Sequence, residues 1–367
     1  MSGEFALLEC LARVDFDEDA RATAARISTE GVSWTEVLRL ARSHGVVPLL
    51  WRNLPEDVPA NVGAQVEADA RLAATRGLEL SRELVRISKI LKEDALSAMP
   101  FKGPTLAQHL YRNVALRQSV DLDFLLPRSS VDRAAGLLAA NEYRAVTSIE
   151  DPWVRLWSNE VAMVRAADGL LVELQWRLAP AHLSVPFSLA SVWRRRRQQE
   201  FGGMTISSPS DEDLALMLCI HGAKHLWERL IWVCDVAQLV DTRPDVDWEA
   251  VASRARESRV ERMLHTGLVL ANAIYGTEIP AAIRVEPASR ALAAKLRSLM
   301  SDQPRQEFPV RRADLEMRER SRDRASYLIK LAVFPSPGDS EWLPRRLWWL
   351  TPVLRPFRLA WKWGLKN

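Results

Sequence analysis

Apolar and polar residues recur along this chain with two different periods. From about residue 5 to residue 95 the period is helical, with apolar positions three and four apart. Ser33-Trp34-Thr35-Glu36 has the form of a capping box and predicts a helix that opens at Val37 and stops near His44-Gly45, shortly before Pro48. Residues 53–59 read as a loop, and interleaved charged and apolar residues predict one long helix over 60–96. Beyond Leu96 the period shortens. Residues 98–101 read as a short extended segment and Lys102-Gly103-Pro104 as a turn. Residues 105–111 read as a helix with Thr105 as its cap, and 120–126 as a buried strand. Pro127 to Ser130 ends that strand and caps a helix over 131–140. Residues 160–165 and 170–176 form a hairpin around Ala167-Asp168-Gly169, since Asp-Gly between apolar runs is a hairpin signal.

Strand, turn, helix, strand, helix, hairpin describes an α+β protein: a small mixed sheet flanked by N-terminal and C-terminal helical regions. Ser210-Asp211-Glu212-Asp213 is a second capping box. It opens a helix running through His221 and His225 toward Val240, with a break at Gly222, and more helix covers 248–275. Trp193 to Arg197, with Phe201-Gly202-Gly203, marks a surface connection whose four arginines, Arg194 to Arg197, read as solvated or as a contact for an anionic acceptor. The chain divides into an N-terminal helical region (1–95), a core (96–209), a helical region (210–300) and a charged linker with a Trp/Arg-rich tail (301–367), in which 301–325 reads as solvated.

Composition narrows the function classes. With 48% hydrophobic residues over 367, the chain can bury a substantial core. A net charge of +3 is too small to attract nucleic acid through bulk charge alone. Cys10, Cys219 and Cys234 are few, odd in number and outside any zinc spacing, which predicts a reducing cytoplasm with neither disulfides nor structural zinc. Neither a secretory leader pattern nor an apolar run of bilayer length is visible.

The chemistry concentrates in Arg117-Gln118-Ser119-Val120-Asp121-Leu122-Asp123-Phe124. On a strand, Asp121 and Asp123 share one face while Val120, Leu122 and Phe124 share the other. Two neighbouring carboxylates repel unless a cation lies between them, and Mg²⁺ is commonly held by one or two carboxylates together with substrate phosphates. Glu173, inside the apolar run 170–176, is a third acid. It either turns into water on an edge strand or joins the two aspartates at a metal. His221 and His225, four apart, share a helix face that Trp232 and Asp235 extend, with Lys224 beside them. That face either packs near the sheet or lines a substrate pocket; zinc is disfavoured because no third ligand accompanies the pair.

The combination Phe101-Lys102-Gly103-Pro104-Thr105-Leu106-Ala107, Leu110-Tyr111, Arg117, Asp121-Leu122-Asp123-Phe124-Leu125-Leu126, Glu173-Leu174-Gln175-Trp176-Arg177-Leu178 and His221-Gly222-Ala223-Lys224-His225 with Trp232 and Asp235 resembles the polymerase-beta-like nucleotidyltransferase superfamily. Within it, the combination is most similar to the bacterial branch of uncharacterised nucleotidyltransferases, over roughly residues 35–245. The superfamily's usual Gly-Ser or Gly-Gly turn is Lys102-Gly103 here, so the usual hydroxyl contact to triphosphate is missing.

The resemblance implies a transferase that moves a nucleoside monophosphate from an NTP co-substrate to a hydroxyl or phosphate acceptor. Asp121 and Asp123 would hold two Mg²⁺ ions, with Glu173 on the ion nearest the acceptor. Gly103 would admit the phosphates closely, and Lys102 and Arg117 would neutralise their charge, unless Lys102 is merely solvated and Arg117 simply pairs with a nearby acid. His221, Lys224 and His225 would line the nucleotide or acceptor pocket. The alternatives are a toxin-like enzyme acting on RNA ends, which the modest net charge disfavours, and a catalytically degenerate binding protein, which three intact acids disfavour. The tail, with Trp342, Trp348, Trp349, Trp361 and Trp363 among Arg345, Arg346, Arg355, Arg358, Lys362 and Lys366, reads first as packed on its own domain and second as a peripheral membrane contact.

Overall fold

Helices dominate both ends of the chain and enclose one small mixed sheet. The computed structural model describes residues 2–146, 156–301, 312–334 and 343–364. The helices are α1 (Gly3–Leu11), α2 (Glu18–Ser28), α3 (Trp34–His44), α4 (Val47–Arg52), α5 (Ala60–Glu93), α6 (Gly103–Tyr111), α7 (Val131–Ala139), α8 (Leu189–Arg194), α9 (Asp211–Lys224), α10 (Leu230–Thr242), α11 (Trp248–Glu257), α12 (Glu261–Tyr275), α13 (Pro287–Met300), α14 (Arg312–Glu316), α15 (Ser321–Val333) and α16 (Thr351–Gly364). The strands are β1 (Met99–Pro100), β2 (Asp121–Leu125), β3 (Tyr143–Ala145), β4 (Glu160–Arg165), β5 (Leu171–Gln175), β6 (Arg197–Phe201) and β7 (Met204–Ser208). This is the expected α+β class. The first five strands form one sheet in the order β1-β2-β5-β4-β3, with β2 and β5 parallel and the other pairs antiparallel.

Local sequence explains most element boundaries. Both capping boxes are half formed: Ser33 Oγ accepts from the Glu36 amide and Ser210 Oγ from the Asp213 amide. The reciprocal acid is replaced at Ser33, whose amide donates to Glu4 instead. The expected cap at Thr105 is not one: the helix opens two residues earlier, at Gly103, and the Thr105 hydroxyl donates back to the Lys102 carbonyl. Gly222 does not break its helix. α9 runs through it to Lys224, and the break falls between His225 and Arg229, where Leu226 and Trp227 have left-handed φ of 50° and 52°. Gly222 is needed for space, because a Cβ there would lie 2.5 Å from the buried Trp227 ring. The arginine run is only partly solvated: Arg195 pairs with the fully buried Asp213, and Arg197 opens the β6–β7 hairpin that turns at Gly202-Gly203. Nor is 301–325 uniformly solvated, since Ala313, Met317 and Arg318 are buried; 302–311 lie outside the described residues.

Two apolar cores meet along α5. One unites α1, α3 and α4 with α9, α10, α12 and α13, so the first and third sequence segments bury a common core. The other lies beneath the sheet, where Leu122, Phe124, Val172 and Leu174 pack against α7 and the C-terminal half of α5. α5 supplies Val62, Val66 and Ala70 to the first core and Leu80, Leu84, Ile87 and Leu91 to the second. With 34 residues it spans about 51 Å, long enough to serve both.

Candidate active site

Strand alternation and register place the three acids. Leu122 and Phe124 face the sheet core, and this turns Asp121 and Asp123 to the opposite side of β2. On the neighbouring β5 the register sets Asp123 directly beside Glu173, and parallel partners project to the same face. Glu173 is therefore on a central strand, not an exposed edge. All three acids line one pocket of about 490 Å³, together with Lys102, Gly103, Arg117, Glu160, His221, Lys224, His225 and Trp232. The candidate catalytic and phosphate-contacting residues read from the sequence thus line this pocket, whereas Asp235 and the Arg194–Arg197 run do not.

Lys102 is the nearest cation. Its Nζ lies 2.8 Å from Asp123 Oδ1, and both side chains are largely buried. Burial opposes its charge, but Asp123, Asp121 and Glu173 outweigh that, so its pKa lies above the usual lysine value. The carboxyls feel the opposite balance. Burial and then Asp123 raise the Asp121 pKa to about 6, and burial, Asp123 and Glu160 raise Glu173 to about 8.

Gln175, one alternation further along β5, donates to Asp123 Oδ1 at 2.7 Å and to Glu173 Oε2 at 2.8 Å, and so ties two of the acids together. The motif that contains Gln175 gives it no role of its own, although the period-2 rule places it on the acid face. Glu160 of β4, opposite Gln175, was missed as well; it accepts from Asn159 and lies 3.9 Å from Lys224 Nζ.

Gly103 has φ of +60°, and a Cβ there would come within 3.2 Å of the Asp121 carbonyl oxygen. Glycine is required both for the left-handed turn and for its close approach to β2. The amino end of α6 consequently opens on the pocket.

Arg117 has a partner. Its Nε and Nη2 donate to Asp235 of α10 at 2.7 and 2.8 Å, and the Tyr111 hydroxyl donates to Asp235 Oδ1 at 2.8 Å. Of the two roles weighed for it, pairing with an acid is the one the geometry displays. His221 lies in the last turn of α9 and His225 caps it. Their ring centroids are 4.9 Å apart, and Trp232, on α10, lies 5.1 and 5.0 Å from them. Burial, followed by Lys102 and His225, pushes the His221 pKa well below its usual value, so its ring is neutral near pH 7. Asp235 does not extend this aromatic face; it belongs to the Arg117 pair.

The donor set suits a hard divalent cation. Its oxygens are carboxylate, two of its acids have raised pKa values, and Asp123 Oδ2 is buried without a hydrogen-bond partner. In their present positions no three His, Cys, Asp or Glu side chains among the described residues converge to hold a metal. The positive charge against Asp123 is the ammonium of Lys102.

A family model described as uncharacterised nucleotidyltransferase matches residues 30–276, which include every residue of this pocket. No curated protein and no solved structure matches the chain. Because the match spans most of the chain and all of the acid-lined pocket, the protein belongs to the uncharacterised nucleotidyltransferase family, a family of transferases.

Proposed function

We propose that the protein is a Mg²⁺-dependent nucleotidyltransferase that moves a nucleoside monophosphate from a nucleoside triphosphate to a hydroxyl or phosphate on a small molecule, sugar, peptide or protein. The observation that carries this reading is the register pairing of Asp123 with Glu173, with one Asp123 oxygen unpartnered in a pocket that also holds Asp121. A degenerate binding protein has no need to hold three repelling acids together.

Asp121, Asp123 and Glu173 are the residues that would hold Mg²⁺. When bound, Mg²⁺ supplies positive charge to the triphosphate oxygens and to the departing pyrophosphate. The remaining work falls to side chains and backbone. Lys102 brings one cation to the pocket for the phosphates, and Lys224 another. The amino end of α6 at Gly103 offers backbone N–H groups to an anion. His221, His225 and Trp232 give an aromatic wall suited to a nucleobase or to an acceptor's apolar face.

Glu173, on the acceptor side, takes up the proton as the acceptor oxygen bonds to the α-phosphorus and the bond to the pyrophosphate oxygen breaks. A cation held beside it would lower its pKa from about 8 and keep it a base at neutral pH. A second hollow of about 450 Å³ adjoins the pocket through Arg42, Gln118, Ser119 and Val120 and offers room for the acceptor.

The test is a thermal shift with each of the four nucleoside triphosphates, with and without Mg²⁺, on wild type and on Asp121→Ala/Asp123→Ala. A stabilisation that requires both Mg²⁺ and the aspartates supports the reading and names the base. A shift that survives the double substitution refutes the assigned site.

A further inference from the structure

The C-terminal helix presents its apolar side outward. Trp349, Val353, Phe357 and Trp361 recur every fourth residue and are 65%, 60%, 72% and 71% exposed. Trp349 lies in the short 3₁₀ turn just before α16; the other three, at 100° per residue, fall within about 80° of the helix circumference. The opposite side is the one packed on the protein: Thr351 and Arg355 are buried, and the Arg355 guanidinium donates to the Leu331 carbonyl of α15. α15 itself exposes Leu328 and Ile329. The helix is held to the body by its polar side, and among the described residues nothing covers the stripe of Trp349, Val353, Phe357 and Trp361.

Charge identifies the cover. Residues 343–367 contain no acid, and besides the buried Arg355 that holds the helix they carry Arg345, Arg346, Arg358, Lys362 and Lys366. Trp342 and Lys366 lie outside the described residues. We infer that α16 docks the protein on an anionic lipid surface, with Trp349, Val353, Phe357 and Trp361 entering the headgroup region while the flanking cations meet lipid phosphates.

Tryptophan and phenylalanine on one side with arginine and lysine on the other is the composition that binds in the plane of an interface. No helix among the described residues is long and apolar enough to cross a bilayer, so the contact is with the surface. A second copy of the chain is the poorer occupant. Two-fold pairing of this stripe would set one acid-free cationic segment against another, and like charges brought together repel.

The experiment is co-sedimentation of the full chain with phosphatidylcholine vesicles and with vesicles containing phosphatidylglycerol, for wild type and for Phe357→Glu/Trp361→Glu. Both substituted positions are in water, so the variant folds as wild type and its unchanged melting temperature verifies this. Binding only to the phosphatidylglycerol vesicles, weakened by salt and reduced at least about tenfold in the variant, is expected. Absence of binding to either vesicle overturns the inference. So does binding unaffected by the variant, or a wild-type dimer that the variant dissolves without any vesicle binding. None of these outcomes depends on the nucleotide site.

Discussion

Two buried ion pairs draw on one short segment, through Arg117 and Asp123, and are finished differently. In Arg117–Asp235 both carboxylate oxygens are used: Oδ1 accepts from Arg117 Nε and Tyr111, and Oδ2 from Arg117 Nη2. In Lys102–Asp123, Oδ1 takes both Lys102 and Gln175 while the buried Oδ2 has no hydrogen-bond partner. The first pair ties the chain before β2 to α10 and closes one wall of the pocket. The second keeps an unsatisfied acceptor in the company of two further acids, an arrangement that folding alone does not favour. A saturated pair is read here as support, and an unsaturated one as a place kept for a ligand.

Substitutions can break that contrast. Asp235→Ala leaves the Arg117 charge buried and the Tyr111 hydroxyl without its acceptor, and should cost roughly 3–5 kcal/mol of unfolding free energy in urea titrations. Gly103→Ala forces a side chain into a left-handed turn and against the Asp121 carbonyl oxygen, and should cost roughly 1–2 kcal/mol. Asp123→Asn should leave the unliganded stability unchanged or higher, since it relieves carboxylate repulsion and Lys102 keeps Asp121 and Glu173 nearby. If Asp123→Asn instead unfolds the protein as readily as Asp235→Ala does, the two pairs are alike and the contrast fails.

A pH series sharpens the same comparison. Glu173 and Asp121 bind protons more tightly when folded, with pKa values of about 8 and about 6 against ordinary values of 4.5 and 3.8. The folded state then holds more protons than the unfolded one between those limits, so their contribution to stability is full below about pH 4 and is lost as pH rises through 6 and 8. Without divalent cations, the melting temperature of wild type relative to Glu173→Gln should fall from pH 5 to pH 8. Added Mg²⁺ should flatten that fall. A relative melting temperature that rises with pH would contradict the crowded-acid description.

Much of this was legible in the chain because it depends on neighbours in sequence. Period-2 alternation fixes which side of β2 carries Asp121 and Asp123, and Asp168-Gly169 fixes the β4–β5 hairpin. The Gly202-Gly203 turn between β6 and β7 carried the same kind of signal and was read as a plain connection. What stayed hidden depends on distant pairing. Register between the parallel β2 and β5 joins residues fifty apart, and only it shows that Gln175 clasps Asp123 and Glu173. Gly222 looked like a helix breaker because its real constraint, the Trp227 ring, comes from beyond the helix end. For Arg117 the sequence left both a phosphate contact and an acid partner open, and only α10, far along the chain, supplies that partner in Asp235.

The most direct measurement takes Asp123→Asn and wild type side by side and records the melting temperature with and without Mg²⁺ and nucleoside triphosphate. A variant as stable as wild type when unliganded, yet unmoved by Mg²⁺ and triphosphate that stabilise wild type, is the predicted result. A variant that melts early, or that is stabilised as much as wild type, would show that the open oxygen of Asp123 is not kept for a ligand.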